Sequence, residues 1–332
     1  MTTQELIWTG TDAPALATSD RPAAPVIEVA HLHKEYGTTV AVDEASFTVH
    51  AGEIFGILGR NGAGKTTTVE CITGLRTPDR GEITVLGLDP RRDRHEVHER
   101  VGVQLQHSAV PDLMRVGEVV ELYASFYKDP ADGRELISAL GLEDARHTYF
   151  KHLSGGQKQR LSIVLALIGR PEIAVLDELT TGLDPEARRD TWRLIEGIHA
   201  RGVTIVLVTH FMEEAERLCD RMALIDHGRV VALDRPSALA GAAATSKRVR
   251  LTPRESFPDE LLWALPEVTA VERHGPEVVV NGDGDLVTAV VVALHRAGIH
   301  ADDVRTETAN LEDAFLALTG ETTHANTNGV TR

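Results

Sequence analysis

The segment Gly59-Arg60-Asn61-Gly62-Ala63-Gly64-Lys65-Thr66-Thr67 constrains this chain more than any other. It follows an apolar run, Ile54–Leu58, that reads as a buried strand, and it opens a helical stretch over Lys65–Thr73 that ends near Gly74. Glycines let successive backbone N–H groups turn inward, and a helix start adds partial positive charge, so the segment is a cradle for an anion. Within it, Lys65 is placed to reach β- and γ-phosphates and the Thr66 hydroxyl to ligate Mg²⁺. The ligand implied is a nucleoside triphosphate. A strand–loop–helix unit of this kind belongs to an α/β fold.

A second apolar strand, Ile173–Leu176, runs into the adjacent carboxylates Asp177 and Glu178. In a parallel sheet the C-terminal ends of strands face the ligand crevice. Asp177 is then placed to hold the Mg²⁺ shell, and Glu178 to orient and deprotonate an attacking water. A third such strand is expected over Thr204–Val208, with helical stretches between the strands, which predicts a largely parallel core sheet.

Leu153-Ser154-Gly155-Gly156-Gln157-Lys158-Gln159-Arg160 precedes an apolar helical stretch, Leu161–Ile168. Ser154 is suited to cap that helix while the two glycines leave N–H groups open to an anion. One nucleotide does not need two phosphate-binding helix starts from a single chain. Two chains arranged head to tail would let this element close over the partner's γ-phosphate.

Taken in order and spacing, GRNGAGKTT, LSGGQKQR (Leu153–Arg160), AVLDE (Ala174–Glu178), GLDP (Gly182–Pro185) and VTH (Val208–His210) resemble an ABC-transporter ATPase subunit. The resemblance covers about residues 26–239. It implies ATP and Mg²⁺ as ligands, and roles for further residues. Tyr36 resembles the aromatic that stacks on adenine, against the alternative of a half-buried tyrosine at a strand end. Gln106 resembles the glutamine that links the metal site to the membrane partner, with Gln104 as its rival on the same face. His210 resembles the histidine that contacts the γ-phosphate, and Asp184 the carboxylate that couples two sites across a dimer. One departure is Leu179, where the family usually has proline; leucine leaves the turn that follows less fixed in φ.

Composition sets limits on the partners. The chain has 332 residues and a formal charge of −16, from 34 Lys+Arg against 50 Asp+Glu. Its densest basic stretch, Arg91, Arg92 and Arg94, is interleaved with Asp93 and followed by Glu96 and Glu99. A nucleic-acid surface needs a basic face to displace counterions, so no nucleic-acid partner is expected. Apolar stretches are too short to span a bilayer, and Cys71 and Cys219 show no metal or disulfide spacing.

The expected organisation is a disordered leader over 1–25, a nucleotide-binding domain over 26–240, a small-residue linker over 241–246, a small α+β domain over 247–320 and a flexible tail over 321–332. The small domain reads as βαββαβα, a ferredoxin-like order. It is a dimer-stabilising or permease-contacting cap, with a small-ligand sensor as the alternative.

His210–Arg229 and Asn310–Gly320 are similar to the drug- and antibiotic-exporter ATPases of the daunorubicin-resistance type. The resemblance implies an ATP-hydrolysing subunit at the cytoplasmic face of the membrane. It would work with a separately encoded integral membrane permease and a second copy of itself, and the permease would contact the segment between Gln106 and His152. An importer ATPase with a ligand-sensing tail, or a soluble non-transport ABC ATPase, are the alternatives.

Overall fold

The structure, a computed structural model, describes residues 24–104, 110–243, 247–307 and 311–319. Gln106, most of the expected leader and all of the expected tail lie outside the described residues. The chain divides into two compact units, Met1–Leu233 and Asp234–Arg332.

The first unit opens with the antiparallel pair β1 (Pro25–Tyr36) and β2 (Thr39–His50), followed by β3 (Ile54–Leu58) and α1 (Lys65–Ile72). Next come β4 (Arg80–Val85), α2 (Arg94–Arg100), β5 (Val101–Gln104), α3 (Val116–Ala124), α4 (Gly133–Ala139) and α5 (Gly155–Leu167). The unit closes with β6 (Ile173–Asp177), α6 (Pro185–His199), β7 (Thr204–Thr209), α7 (Met212–Leu218), β8 (Arg221–Asp226) and β9 (Arg229–Asp234). Strands line up as β5-β6-β7-β3-β8-β9, with β5 to β8 parallel. Every residue of β3, β6 and β7 is buried. This burial is why those segments read as unbroken apolar runs rather than alternating ones.

The parallel register brings the C-terminal ends of β3, β6 and β7 level. Leu58 pairs with Thr209, and Asp177 with Val208. The loops after β3, β6 and β7 therefore leave the sheet side by side.

A three-stranded antiparallel sheet, ordered β2-β1-β4, is additional to the parallel sheet expected from the sequence. Its residues Ile27, Val29, Phe47 and Ile83 share one buried cluster with Phe55, Val175 and Val206 of the parallel sheet. Phe47 and Phe55 stack across it with ring centroids 5.4 Å apart. Pairing within this sheet shifts register around Leu32, and His31 and Glu44 adopt left-handed φ values of 50° and 57°. Such irregularities break the two-residue alternation by which a strand is read.

In the second unit, α8 (Pro236–Ala243) precedes β10 (Lys247–Pro253), α9 (Glu260–Trp263), β11 (Val268–His274), β12 (Glu277–Gly282), α10 (Leu286–Arg296), β13 (Ala301–Glu307) and α11 (Leu311–Thr319). The antiparallel sheet has the order β11-β12-β10-β13. Relabelled one to four along the chain, that order is 2-3-1-4, the ferredoxin-like arrangement. Val249, Leu251, Val278 and Val280 pack on Leu262, Leu286, Val290 and Leu294. The helix α8 runs into the stretch read as a linker, because alanine's helix propensity outweighs the presence of Gly241.

Candidate functional site

The phosphate loop has the backbone its sequence demands. Gly64 takes φ +100°, and an added Cβ there would collide with the Ala41 carbonyl oxygen. A Cβ on Gly59 would likewise strike the Ile225 carbonyl oxygen. The chain therefore passes closer to β2 and β8 than any side chain permits.

Lys65 leaves this loop with only 4% of its surface exposed. Its Nζ donates to the Gly59 carbonyl oxygen at 2.8 Å and the Arg60 carbonyl oxygen at 3.0 Å. Burial lowers its pKa, while the negative charges of Glu178 and Asp177 act in the other direction. Glu178 Oε1 lies 3.9 Å from Nζ. The ammonium is thus held by the loop's own carbonyls, contacts that a phosphate oxygen can replace.

Asp177 closes β6 with 1% exposure. Gln104 Oε1 accepts from its backbone N–H at 3.0 Å, and Thr66 Oγ1 lies 3.5 Å from its Oδ2. Its buried Oδ1 has no hydrogen-bond partner among the described residues. Burial, then the neighbouring Glu178 charge, push this carboxyl up to about 6. A buried carboxylate with an unused oxygen beside a hydroxyl is a fitting donor set for a hard divalent cation. Among the described residues no cluster of three or more His, Cys, Asp or Glu forms a metal cage.

Glu178 sits at φ +49°, a left-handed conformation uncommon outside glycine. Its backbone N–H donates to the Val208 carbonyl oxygen at 2.9 Å, which pins it beside the end of β7. His210 Nδ1 lies 3.3 Å from Glu178 Oε1. In the tautomer with Nδ1–H, the imidazole donates to this carboxylate oxygen. Leu179, in the usual proline position, is fully buried, so packing holds the turn where a ring would otherwise fix it.

A cavity of about 480 Å³ is lined by Tyr36, Ala41, Asn61, Gly62, Gly64, Lys65, Thr66, Thr67 and Glu178. Tyr36 stands at 43% exposure, with Lys34 Nζ 5.4 Å and Arg76 Cζ 6.0 Å from its ring centroid. Ala63, a loop residue only 5% exposed, is tied to the turn after β8 by accepting from the Gly228 N–H at 3.0 Å.

The remaining sequence candidates lie elsewhere. Ser154 caps α5: its Oγ accepts from the Gln157 N–H at 3.2 Å, and Gln157 Oε1 accepts from the Ser154 N–H at 2.9 Å. Beside them Gly155 and Gly156 face open space, where a Cβ would meet nothing within 4 Å. A second cavity of about 500 Å³ collects Ser154, Gly155, Gly156, Gln157, Gly182 and Asp184. It shares no lining residue with the first. Within the chain Asp184 caps α6, its Oδ1 accepting from the Glu186 and Ala187 N–H groups at 3.0 and 2.9 Å.

Sequence reading missed the contacts that join α6 to α7. Trp192 Nε1 donates to the fully buried Glu214 at 2.9 Å, and the Arg188 guanidinium lies 4.5 Å from the Phe211 ring centroid. Nothing in the local pattern marks these pairs, since their partners are more than twenty residues away.

Comparison with known proteins places this geometry. The family described as ABC transporter matches residues 42–181. The Nod factor export ATP-binding protein I of Burkholderia lata is 37% identical over 90% of this chain and 98% of its own length. The daunorubicin resistance ATP-binding protein DrrA3 of Streptomyces coeruleorubidus is 34% identical over 90% of this chain and 97% of its own. Among solved structures, the dimeric bacterial ABC transporter cassette MJ0796 superposes with a TM-score of 0.56 at 26% identity, covering 63% of this chain and 98% of that one. With a phosphate loop, an acidic strand end and a histidine brought level by three parallel strands, this chain belongs to the ABC transporter family, as one of its ATP-hydrolysing subunits.

Proposed function

We propose that this chain powers export through a separately encoded membrane permease, working as a head-to-tail pair of copies that enclose two ATP molecules. The observation that carries the reading is the convergence of Lys65, Asp177, Glu178 and His210 at the level ends of β3, β6 and β7. Export follows from what the relatives named above do, over nearly their whole length.

In this reading Tyr36 stacks on the adenine, and the loop from Gly59 through Thr67 wraps the phosphates. Lys65 exchanges the Gly59 and Arg60 carbonyls for β- and γ-phosphate oxygens. Thr66 and Asp177 hold Mg²⁺, which supplies charge neutralisation on those phosphates. The same role for Gln106 rests on the sequence resemblance alone. Glu178 accepts the proton of the attacking water, and His210 contacts the γ-phosphate from the side opposite its Nδ1–H.

The second copy supplies Ser154, Gly155, Gly156 and Gln157. Their open surroundings and their separation from the chain's own phosphate loop support a site completed in trans. Asp184 then lies at the junction of the two halves. Closure on ATP and reopening after hydrolysis would be passed to the permease.

No helix among the described residues is long and apolar enough to cross a membrane. The permease is assigned to the segment between Gln106 and His152, where Leu113, Leu122 and Phe126 are apolar side chains 67%, 41% and 64% exposed. This docking would hold the chain at the cytoplasmic surface of the membrane. The cargo is a drug-, antibiotic- or lipid-like molecule chosen by the permease.

The test is transport in membrane vesicles that carry the chain together with an integral membrane permease that it binds. ATP-driven accumulation in inside-out vesicles is expected, and its loss with Glu178→Gln. Accumulation only in right-side-out vesicles loaded with ATP would make the complex an importer.

A further inference from the structure

The hydrolytic pair Glu178–His210 is backed by a stack that leads to the other cavity of the same chain. His210 and Phe211 are in ring contact, centroids 4.1 Å apart at 39°. The guanidinium of Arg188 also lies over Phe211, 4.5 Å from the ring centroid. The half-buried Arg188 has no hydrogen-bond partner for its buried Nε among the described residues, and its guanidinium rests against the aromatic ring. Arg188 stands in the first turn of α6, its backbone N–H donating to the Asp184 carbonyl oxygen at 2.9 Å. Asp184 and Ala187 of that turn line the cavity shared with Ser154 and Gly156. One helical turn beyond Arg188, the Trp192–Glu214 hydrogen bond ties α6 to α7 again, so the two helices are fixed at successive turns.

We propose that Arg188 is a positioning residue for hydrolysis: through Phe211 it holds the His210 imidazole against Glu178, and so links the start of α6, at the Ser154 cavity, to the chain's own phosphate end. The inference rests on the reading of His210 and Glu178 as the hydrolytic pair. Arg188 lines neither the phosphate-loop cavity nor any contact with Lys65, so it sets the rate of the chemical step and leaves ATP binding alone.

The experiment measures ATPase kinetics and binding of a fluorescent ATP analogue for Arg188→Met, Arg188→Lys, Phe211→Leu, the Arg188→Met/Phe211→Leu double variant and His210→Ala, with melting temperatures for each. Arg188→Met should lower kcat roughly three- to tenfold at unchanged KM and unchanged analogue affinity, on the scale of a half-buried cation–ring contact. Arg188→Lys, which keeps a cation over the ring, should recover most of that loss. The double variant should be no slower than Phe211→Leu alone, because both changes break one stack. Full activity in Arg188→Met, equal losses for Met and Lys, or losses that multiply in the double variant would each overturn the proposal. His210→Ala separates the two layers: an inactive His210→Ala beside a fully active Arg188→Met removes the positioning role alone. A fully active His210→Ala removes the hydrolytic reading and the proposal with it.

Discussion

Replacing Asp177 with asparagine should make the nucleotide-free chain more stable while abolishing hydrolysis. The carboxyl is 1% exposed and is held up to about 6 from its ordinary 3.8 by burial and by the Glu178 charge. At about 1.4 kcal/mol per pH unit, keeping it ionised in the fold costs about 3 kcal/mol above pH 6. Asparagine removes the charge, but its amide must find partners where Oδ1 has none, which takes back about 1–2 kcal/mol. The net gain is about 1–2 kcal/mol, or a rise in melting temperature of roughly 2–6 °C at pH 8. Between about pH 4 and pH 6 the folded wild type binds the proton that the unfolded chain releases. Wild-type stability from this group is therefore highest in acid and falls as pH rises through 6. The advantage of Asp177→Asn must shrink as pH falls below 6, vanish near about pH 5, where the charge cost has dropped to the amide's about 1–2 kcal/mol, and reverse in stronger acid. Thermal melting of both proteins from pH 4.5 to 8.5, without nucleotide, measures it. MgATP should then stabilise the wild type and leave the variant nearly unmoved. A variant less stable than wild type at pH 8, or a difference independent of pH, would refute the account of Asp177 as a buried charge awaiting a cation.

Further expectations concern the loop, the base and the domain boundary. Lys65→Ala should abolish hydrolysis and weaken ATP binding at least tenfold, measured with a fluorescent ATP analogue, since no other cation lines that cavity. Glu178→Gln keeps the side chain's size and removes its basicity. It should be nearly inactive and dimerise on adding ATP in size-exclusion chromatography, returning to monomer when Ser154→Arg is added; wild-type turnover would end the assignment of the base. A chain ending at Asp234 should still bind ATP by the same fluorescence assay, because every lining residue of both cavities precedes the division between the units.

The parts of the fold that sequence exposes are those whose physics is local. Ile54–Leu58 and Ile173–Asp177 read as buried strands because both faces are covered and each position must be apolar. Ser154 reads as a cap because its bonding partner, Gln157, stands three residues on. The tail's element order was legible for the same reason, its strands and helices each keeping one apolar face on a common core. What escaped notice depends on distant residues or on broken periodicity. The left-handed turns at His31 and Glu44 hide the antiparallel sheet. The contact of Arg188 with Phe211 becomes visible only once the start of α6 has packed beside the start of α7. The packing of α8 against α11 likewise makes the start of a stretch read as a linker part of the second unit.

The separation of the phosphate-loop cavity from the Ser154 cavity has a genetic corollary. A copy whose Lys65 is lost still presents an intact Ser154 surface, and a copy whose Ser154 surface is blocked still presents an intact loop. If the copies pair head to tail as proposed, mixed pairs of the first kind would retain one complete site, built from the healthy copy's loop and the damaged copy's Ser154 face. Two differently damaged copies, expressed together, can likewise assemble one whole site between them. Alleles in the two cavities should therefore complement each other in a diploid or plasmid test, whereas two alleles in the same cavity should not.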